Sequence, residues 1–337
     1  ACRALAQGMG CAVIRELPSI NAVVIEVPLS RVSIAADALA ASPQVDLIET
    51  DRTVNWLKTV SASPPFEFPN ATRDLLKKII GLSAAAPQDA EQPWGVRRVN
   101  AASAWTTPKG QGKGVSVAVI DTGISRSHPD LAAVVAGGFN ARNPDKPDSW
   151  DDDEGHGSHV AGTIAAKRDG QGVVGVAPLV ELYAVKVLDK NGNGAYSDVI
   201  AGIEWAVRRK IPIVNMSLGA DEGSTALKRA VAAAAEAGVT LVVSAGNSGG
   251  AVGYPARYPE TIAVGASDKN DAAAPFTSRG PDIDFIAPGV KIKSAKLGGG
   301  FIEMSGTSMA APHVAGLAAL AVARGARGPR AVRTALN

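Results

Sequence analysis

Three short strings place a carboxylate, an imidazole and a hydroxyl where chemistry can be done. In VAVIDTGI, Asp121 follows directly on an apolar run. In GHGSHVAGT, His156 stands between two glycines just ahead of a helical pattern, and in GTSMAAPHVAG, Ser308 opens an Ala-rich helical run. A carboxylate at the end of a buried strand must be paired or hydrogen-bonded, because burying a lone charge is costly. Glycines beside His156 let the backbone approach its neighbours and leave the imidazole accessible. A helix N-terminus offers free N–H groups and a positive dipole end, which suits a nucleophile that has an oxyanion beside it. A serine hydroxyl is a weak nucleophile and needs an adjacent base. Histidine takes and returns a proton near neutral pH, and a buried aspartate fixes its tautomer and stabilises the imidazolium. Asn247, in VVSAGNSG, stands just beyond another apolar run. Its amide N–H2 and the Ser308 backbone N–H could together form an oxyanion hole. Taken singly, each residue has an ordinary structural reading: a turn or cap aspartate, a structural histidine, an N-cap serine, a left-handed asparagine. Together, in this order and with these flanks, they point to nucleophilic catalysis.

The elements needed to position them follow from periodicity. From Trp94 onward, apolar runs at residues 115–120, 182–187, 213–216, 240–244 and 261–264 read as strands. They alternate with helical patterns at 159–166, 197–209, 224–237 and 307–324. Continuous apolar strands separated by helices argue for an α/β fold with a parallel sheet covered on both faces. Reactive groups in such folds gather at the C-terminal ends of the strands. Upstream, residues 1–57 read as a small α+β unit, with strands at 22–27 and 45–49 and a helix over 30–41 ended by Ser42-Pro43. Residues 58–92 read as a linker, because SASPPFEFPN and SAAAPQDAEQP are proline-rich and aperiodic, with one short helix in ATRDLLKKIIGL. Residues 93–337 form the main domain.

Composition narrows the function classes. The chain has 337 residues, 34 Lys+Arg against 32 Asp+Glu, and 46% hydrophobic residues. That is long and apolar enough for one large core and excludes disorder. A net charge of +2 gives no general case for nucleic acid or an anionic membrane. Cys2 and Cys11 both lie near the N-terminus, so a disulfide framework, a thiolate metal site and a cysteine nucleophile explain little of the chain. No run of some 18 apolar residues predicts a transmembrane helix, and the first residues lack the pattern of a signal peptide. The glycine-rich string at residues 110–114 precedes its strand, whereas a dinucleotide fingerprint must follow one. The trio Arg208-Arg209-Lys210 falls at a predicted helix end, where cations complement the dipole.

VAVIDTGI, GHGSHVAGT, NMSLG, SAGN and GTSMAAPHVAG, in register from about Trp94 to Leu336, resemble the signature segments of the subtilisin-like serine proteases, the subtilases. The resemblance implies an α/β, mostly parallel doubly wound sheet of the subtilisin type, preceded by a small α+β propeptide domain over residues 1–57. It implies Asp121, His156 and Ser308 as the catalytic triad and Asn247 as oxyanion donor. Ser217, Leu218 and Gly219 would pair with extended substrate, facing Gly192, Asn193, Gly194 and Tyr196. Ser244, Ala245, Gly246 and Gly253 would line a wide pocket for large apolar side chains. A calcium ion would be held by Asp130 and Asp169 and the carbonyls of Lys167, Gln171 and Val173. The family's glutamine ligand is replaced by Ala90, with Gln88, Asp89 or Gln92 as substitutes. The acidic run 151–154 reads as a solvated charge cluster. The resemblance further implies a secreted monomeric endopeptidase of polypeptides, binding neither nucleic acid nor membrane. Its N-terminal segment would act as an intramolecular inhibitor, cut between Leu57 and Lys58. The competing reading is a catalytically silent, self-inhibited binding module on the same fold.

Overall fold

The computed structural model describes residues 2–57 and 91–337, so Lys58, the linker up to residue 90 and the helix expected over 71–82 lie outside the described residues. Its elements run α1 (Cys2–Gly8), β1 (Ala12–Leu17), β2 (Ala22–Glu26), α2 (Val32–Ala40), β3 (Thr53–Asn55), α3 (Trp94–Arg98), β4 (Ser116–Asp121), β5 (Val135–Asn140), α4 (His156–Ala165), β6 (Glu181–Lys186), β7 (Asn193–Ala195), α5 (Tyr196–Arg208), β8 (Ile213–Met216), α6 (Thr225–Glu236), β9 (Thr240–Ser244), β10 (Ile262–Ser267), β11 (Phe285–Pro288), β12 (Ile292–Ala295), β13 (Phe301–Met304), α7 (Thr307–Ala323) and α8 (Gly328–Leu336).

Seven strands form one sheet in the order β11-β10-β9-β8-β4-β6-β5, and each adjacent pair is parallel. Side chains alternate across its faces, as strand geometry requires. Val117 and Val119 of β4 enter one core with Val160 and Ile164 of α4 and Met309 and Val314 of α7. Ala118 and Ile120 enter the other, with Val199 and Ile203 of α5 and Leu227 and Val231 of α6. Each fully buried branched side chain contributes about 1.5–3 kcal/mol. The expected α/β architecture and all five expected strands of the main domain are present. Strand β5 carries no clear signal in the sequence, because Gly137-Gly138 interrupts its apolar run. Gly138 is needed there, since a Cβ would sit 2.5 Å from the Trp150 ring.

Residues 45–49, expected as a strand, join no ladder, although β2 pairs antiparallel with β1 as a hairpin. Their carboxylates serve another purpose. Glu49 accepts hydrogen bonds from the N–H groups of Thr225 (2.8 Å) and Ala226 (2.9 Å) at the start of α6. Asp51 accepts from the Ser197 N–H (3.0 Å) at the start of α5. Two helix N-termini thereby gain anionic caps. Burial raises the Glu49 pKa, but the hydrogen bonds from Ala226, Thr225 and Ser224 outweigh it and hold the carboxyl below its ordinary value. Arg15 of β1 adds a largely buried ion pair with Asp198 (2.9 Å). Among the described residues, no single helix is long and apolar enough to cross a membrane.

Candidate active site

Asp121 ends β4 and is fully buried, while His156 opens α4. His156 Nδ1 donates to both carboxylate oxygens of Asp121, at 2.8 and 3.0 Å. The turn that permits this needs glycine twice. Gly155 has φ +111°, and a Cβ on Gly157 would sit 2.1 Å from the Gly123 carbonyl. Burial disfavours the charged imidazole and is the largest single influence on it. The charge and hydrogen bond of Asp121, with Glu154 and Asp152 beyond, outweigh it and raise the His156 pKa above 6.5. A general base must be neutral to act. The acid limb of kcat/KM is therefore expected above pH 6.5, measured as a pH–rate profile; a limb below that value would contradict the geometry. For folding the sign is opposite to that for activity. A raised folded pKa stabilises below the unfolded value of about 6.5, and that contribution is lost as pH rises through the folded pKa.

Ser308 stands in the first turn of α7, and its hydroxyl donates to the Ser217 carbonyl at 3.2 Å. Asn247 is oriented by its Oδ1, which accepts from the Thr307 N–H (2.8 Å) and Oγ1 (2.9 Å). A Cβ on Gly306 would lie 3.5 Å from Asn247 Nδ2 and 3.6 Å from Ser308 N. One point beside Gly306 thus lies close to both donors.

Gly192, Asn193, Gly194 and Gly219 lie against the chain's own residues 53–57. Strand β3 pairs antiparallel with β7, setting Val54 opposite Gly194. Trp56 N–H donates to the Gly192 carbonyl (2.9 Å), and Gly219 N–H donates to the Trp56 carbonyl (3.1 Å). The indole of Trp56 is 1% exposed, donates to the Gly194 carbonyl at 2.9 Å and lies 4.8 Å from the Tyr196 ring. Ser217, Leu218 and Ala245 are buried, with Ser217 Oγ donating to the Ser308 carbonyl. Asn193 accepts from the Asn55 side-chain amide (3.1 Å). A hollow of about 40 Å³ is lined by Ser244, Gly246, Gly253, Asn247, Ser308 and Trp56, among others. Leu57 packs against Gly192. No local pattern in the sequence marks Trp56 for this position.

At the loop 167–173, Asp130 is buried and its Oδ2 accepts from the Val173 N–H (3.0 Å). Asp169 pairs with Lys167 at 2.7 Å and accepts from the Gln171 N–H at 3.1 Å. Gln88, Asp89 and Ala90 lie outside the described residues. Glu91, unremarked in the sequence, is 4% exposed and accepts from the Gly170 N–H at 2.7 Å. Two buried carboxylates against one loop fit a hard cation, which takes oxygen ligands. Among the described residues, however, no three His, Cys, Asp or Glu side chains converge closely enough to hold a metal by themselves. The acidic run departs from expectation at Asp152, which is buried rather than solvated.

The parallel sheet, the Asp121–His156 pair and the serine at a helix start are the arrangement that the sequence resemblance implies. A family model for the subtilases matches residues 112–336, and the chain belongs to that family of serine endopeptidases. It is 43% identical to a thermostable alkaline protease of Halalkalibacterium halodurans, over 86% of this chain and 75% of that protein. It is 48% identical to subtilisin E of Bacillus subtilis, over 69% of this chain and 61% of that protein. It is also 48% identical to a subtilisin of Bacillus pumilus, over 69% of this chain and 85% of that protein.

Proposed function

We propose that the chain is the zymogen of a secreted, monomeric serine endopeptidase that favours large apolar residues before the scissile bond. Ser308 attacks the carbonyl, His156 takes and returns the proton, and Asp121 holds the imidazole. Asn247 and the Ser308 N–H bind the oxyanion. The observation that supports this best is the His156–Asp121 hydrogen bond, with Ser308 in the first turn of α7. Ser244, Gly246 and Gly253 on the lining of the hollow, small and uncharged beside Asp221, support the apolar preference. A fluorophosphonate probe applied to the processed protein is expected to label Ser308; no labelling would favour the silent binding module instead.

The N-terminal segment would inhibit by laying residues 53–57 along the cleft, at high effective concentration because it is tethered. Cleavage between Leu57 and Lys58 would then release the enzyme. Sequencing the processed protein is expected to give a chain beginning at Lys58, and a start beyond Pro69 would reject this site.

For calcium, Asp130 and Asp169 with the carbonyls of Lys167, Gln171 and Val173 would hold the ion, and it would stabilise the loop. A ligand bound only by the folded state stabilises by mass action, about 2.7 kcal/mol at a hundredfold excess over Kd. Excess chelator is expected to lower Tm, and Asp169→Ala to remove most of that effect. Equal Tm in calcium and chelator would make the loop a plain turn.

A further inference from the structure

We propose that Asp152 is a positioning residue for the catalytic pair, fastening the end of β4 to the start of α4 so that Asp121 meets His156. This rests on the reading of Asp121, His156 and Ser308 given above. Asp152 lies four residues before His156, and its carboxylate is 8% exposed. Oδ1 accepts from Thr122 Oγ1 (2.8 Å), Glu154 N (3.0 Å) and Gly155 N (2.9 Å). Oδ2 accepts from Ser158 N (2.9 Å) and Ser158 Oγ (2.6 Å).

The donors are the residues that border the pair. Thr122 follows Asp121 and its N–H donates to Asp121 Oδ1 at 2.8 Å. Thr122 Oγ1 also accepts from the N–H of Gly157, the residue after His156, at 3.0 Å. Ser158 Oγ accepts from Ser125 N at 2.9 Å. One carboxylate thus braces the β4 exit, the loop before His156 and the first turn of α4. Thr122 and Ser158 are fully buried, so no water replaces these bonds without cost.

The residue type follows. Only an ionised carboxylate offers acceptors alone on both oxygens. Asparagine would present an N–H2 either to the Ser158 donors or to the three donors at Oδ1. The charge acts as well, because Asp152 stands among the carboxylates that raise the His156 pKa, after Asp121 and Glu154. Other charges facing this junction are Glu154, which accepts from the His156 N–H at 2.7 Å, Arg126 paired with Asp151 at 3.8 Å, and Asp153 paired with Lys186 at 2.6 Å, while Lys186 also donates to the Thr122 carbonyl. They leave Asp152 as the buried anion bonded to both sides of the pair.

The test is Asp152→Asn in the processed enzyme, with active sites counted by the serine-directed probe and Tm measured in parallel. Per labelled site, kcat is expected to fall between about tenfold and 10²-fold, since misplacing catalytic groups by about 1 Å can cost that much. KM is expected to hold, and the acid limb of kcat/KM to move to lower pH. A wild-type kcat per site with an unmoved limb overturns the proposal, whatever the change in Tm. If Asp152→Asn does not fold, Thr122→Val and Thr122→Ser decide. The serine variant keeps the hydroxyl and should hold both kcat and limb, while valine should lose kcat. Equal kcat in the two rejects the brace. An inactive, unlabelled wild type would instead fail the underlying enzyme reading.

Discussion

Ser308→Ala is expected to abolish peptide hydrolysis while leaving the fold in place. Among the described residues the hydroxyl makes one weak hydrogen bond, at 3.2 Å to the Ser217 carbonyl, so its removal disturbs little packing. The helix that carries it is held by Met309, Val314 and Leu320 in the core, none of which the substitution touches. Without the nucleophile no acyl-enzyme forms, and only binding and the oxyanion donors remain. The loss in subtilisin itself is on the order of 10⁶ in kcat, and that magnitude is carried over from the relative by resemblance. The same variant should retain residues 1–57 on its chain, since self-cleavage requires the same serine. Turnover of a chromogenic peptide and the mass of the purified protein check both halves. Unchanged turnover would remove Ser308 from the mechanism.

Four residues of the proposed site could be singled out in the sequence because chemistry restricts their types and the fold restricts their places. Asp121 had to follow a buried strand, His156 needed glycines around it, and Ser308 needed a helix start. The structure sets Asp121 and His156 in contact at 2.8 Å. Asn247 was marked by its place after β9, and Thr307 now explains its orientation. The residues that escaped notice act through tertiary neighbours that no local pattern reveals. Trp56 is buried by Tyr196 and the Gly194 carbonyl, 138 residues away in the chain in the latter case. Glu91 meets Gly170 across 79 residues. Asp152 sat in a run of four acids, where a solvated face is the usual outcome. Its burial depends on Thr122 and Ser158 closing over it. Residues 45–49 failed for the opposite reason. Their run is apolar enough for a strand, but Glu49, and Asp51 just beyond it, are committed to two helix N-termini. Strand β5 was hidden by Gly137-Gly138, and the need for Gly138, room for Trp150, is visible only in three dimensions.

Asn247→Leu should separate binding from catalysis. Leucine keeps the approximate size of asparagine but removes the N–H2. If Nδ2 stabilises charge that develops only in the transition state, the loss falls on kcat and spares KM. The expected decrease is about 10²–10³-fold, again the figure for subtilisin's own oxyanion asparagine, brought over by resemblance. A second effect of the substitution has its own measurable signature. Asn247 Oδ1 also accepts from Thr307 N and Oγ1, so leucine strips acceptors from the start of α7. Thr307 Oγ1 accepts from Gly246 N at 3.1 Å and can hold its place through that bond. A buried donor left unsatisfied costs about 1–3 kcal/mol of stability. That cost would appear as a lower Tm and as fewer probe-labelled sites, whereas loss of the oxyanion donor appears as lower kcat per labelled site. Asn247→Asp offers the control, because it retains an acceptor for Thr307 while supplying no N–H2. If both variants lose kcat per site and only leucine loses Tm, the amide donor is the catalytic element. A change confined to KM in both would place Asn247 in substrate binding and leave the Ser308 N–H without its partner in the hole.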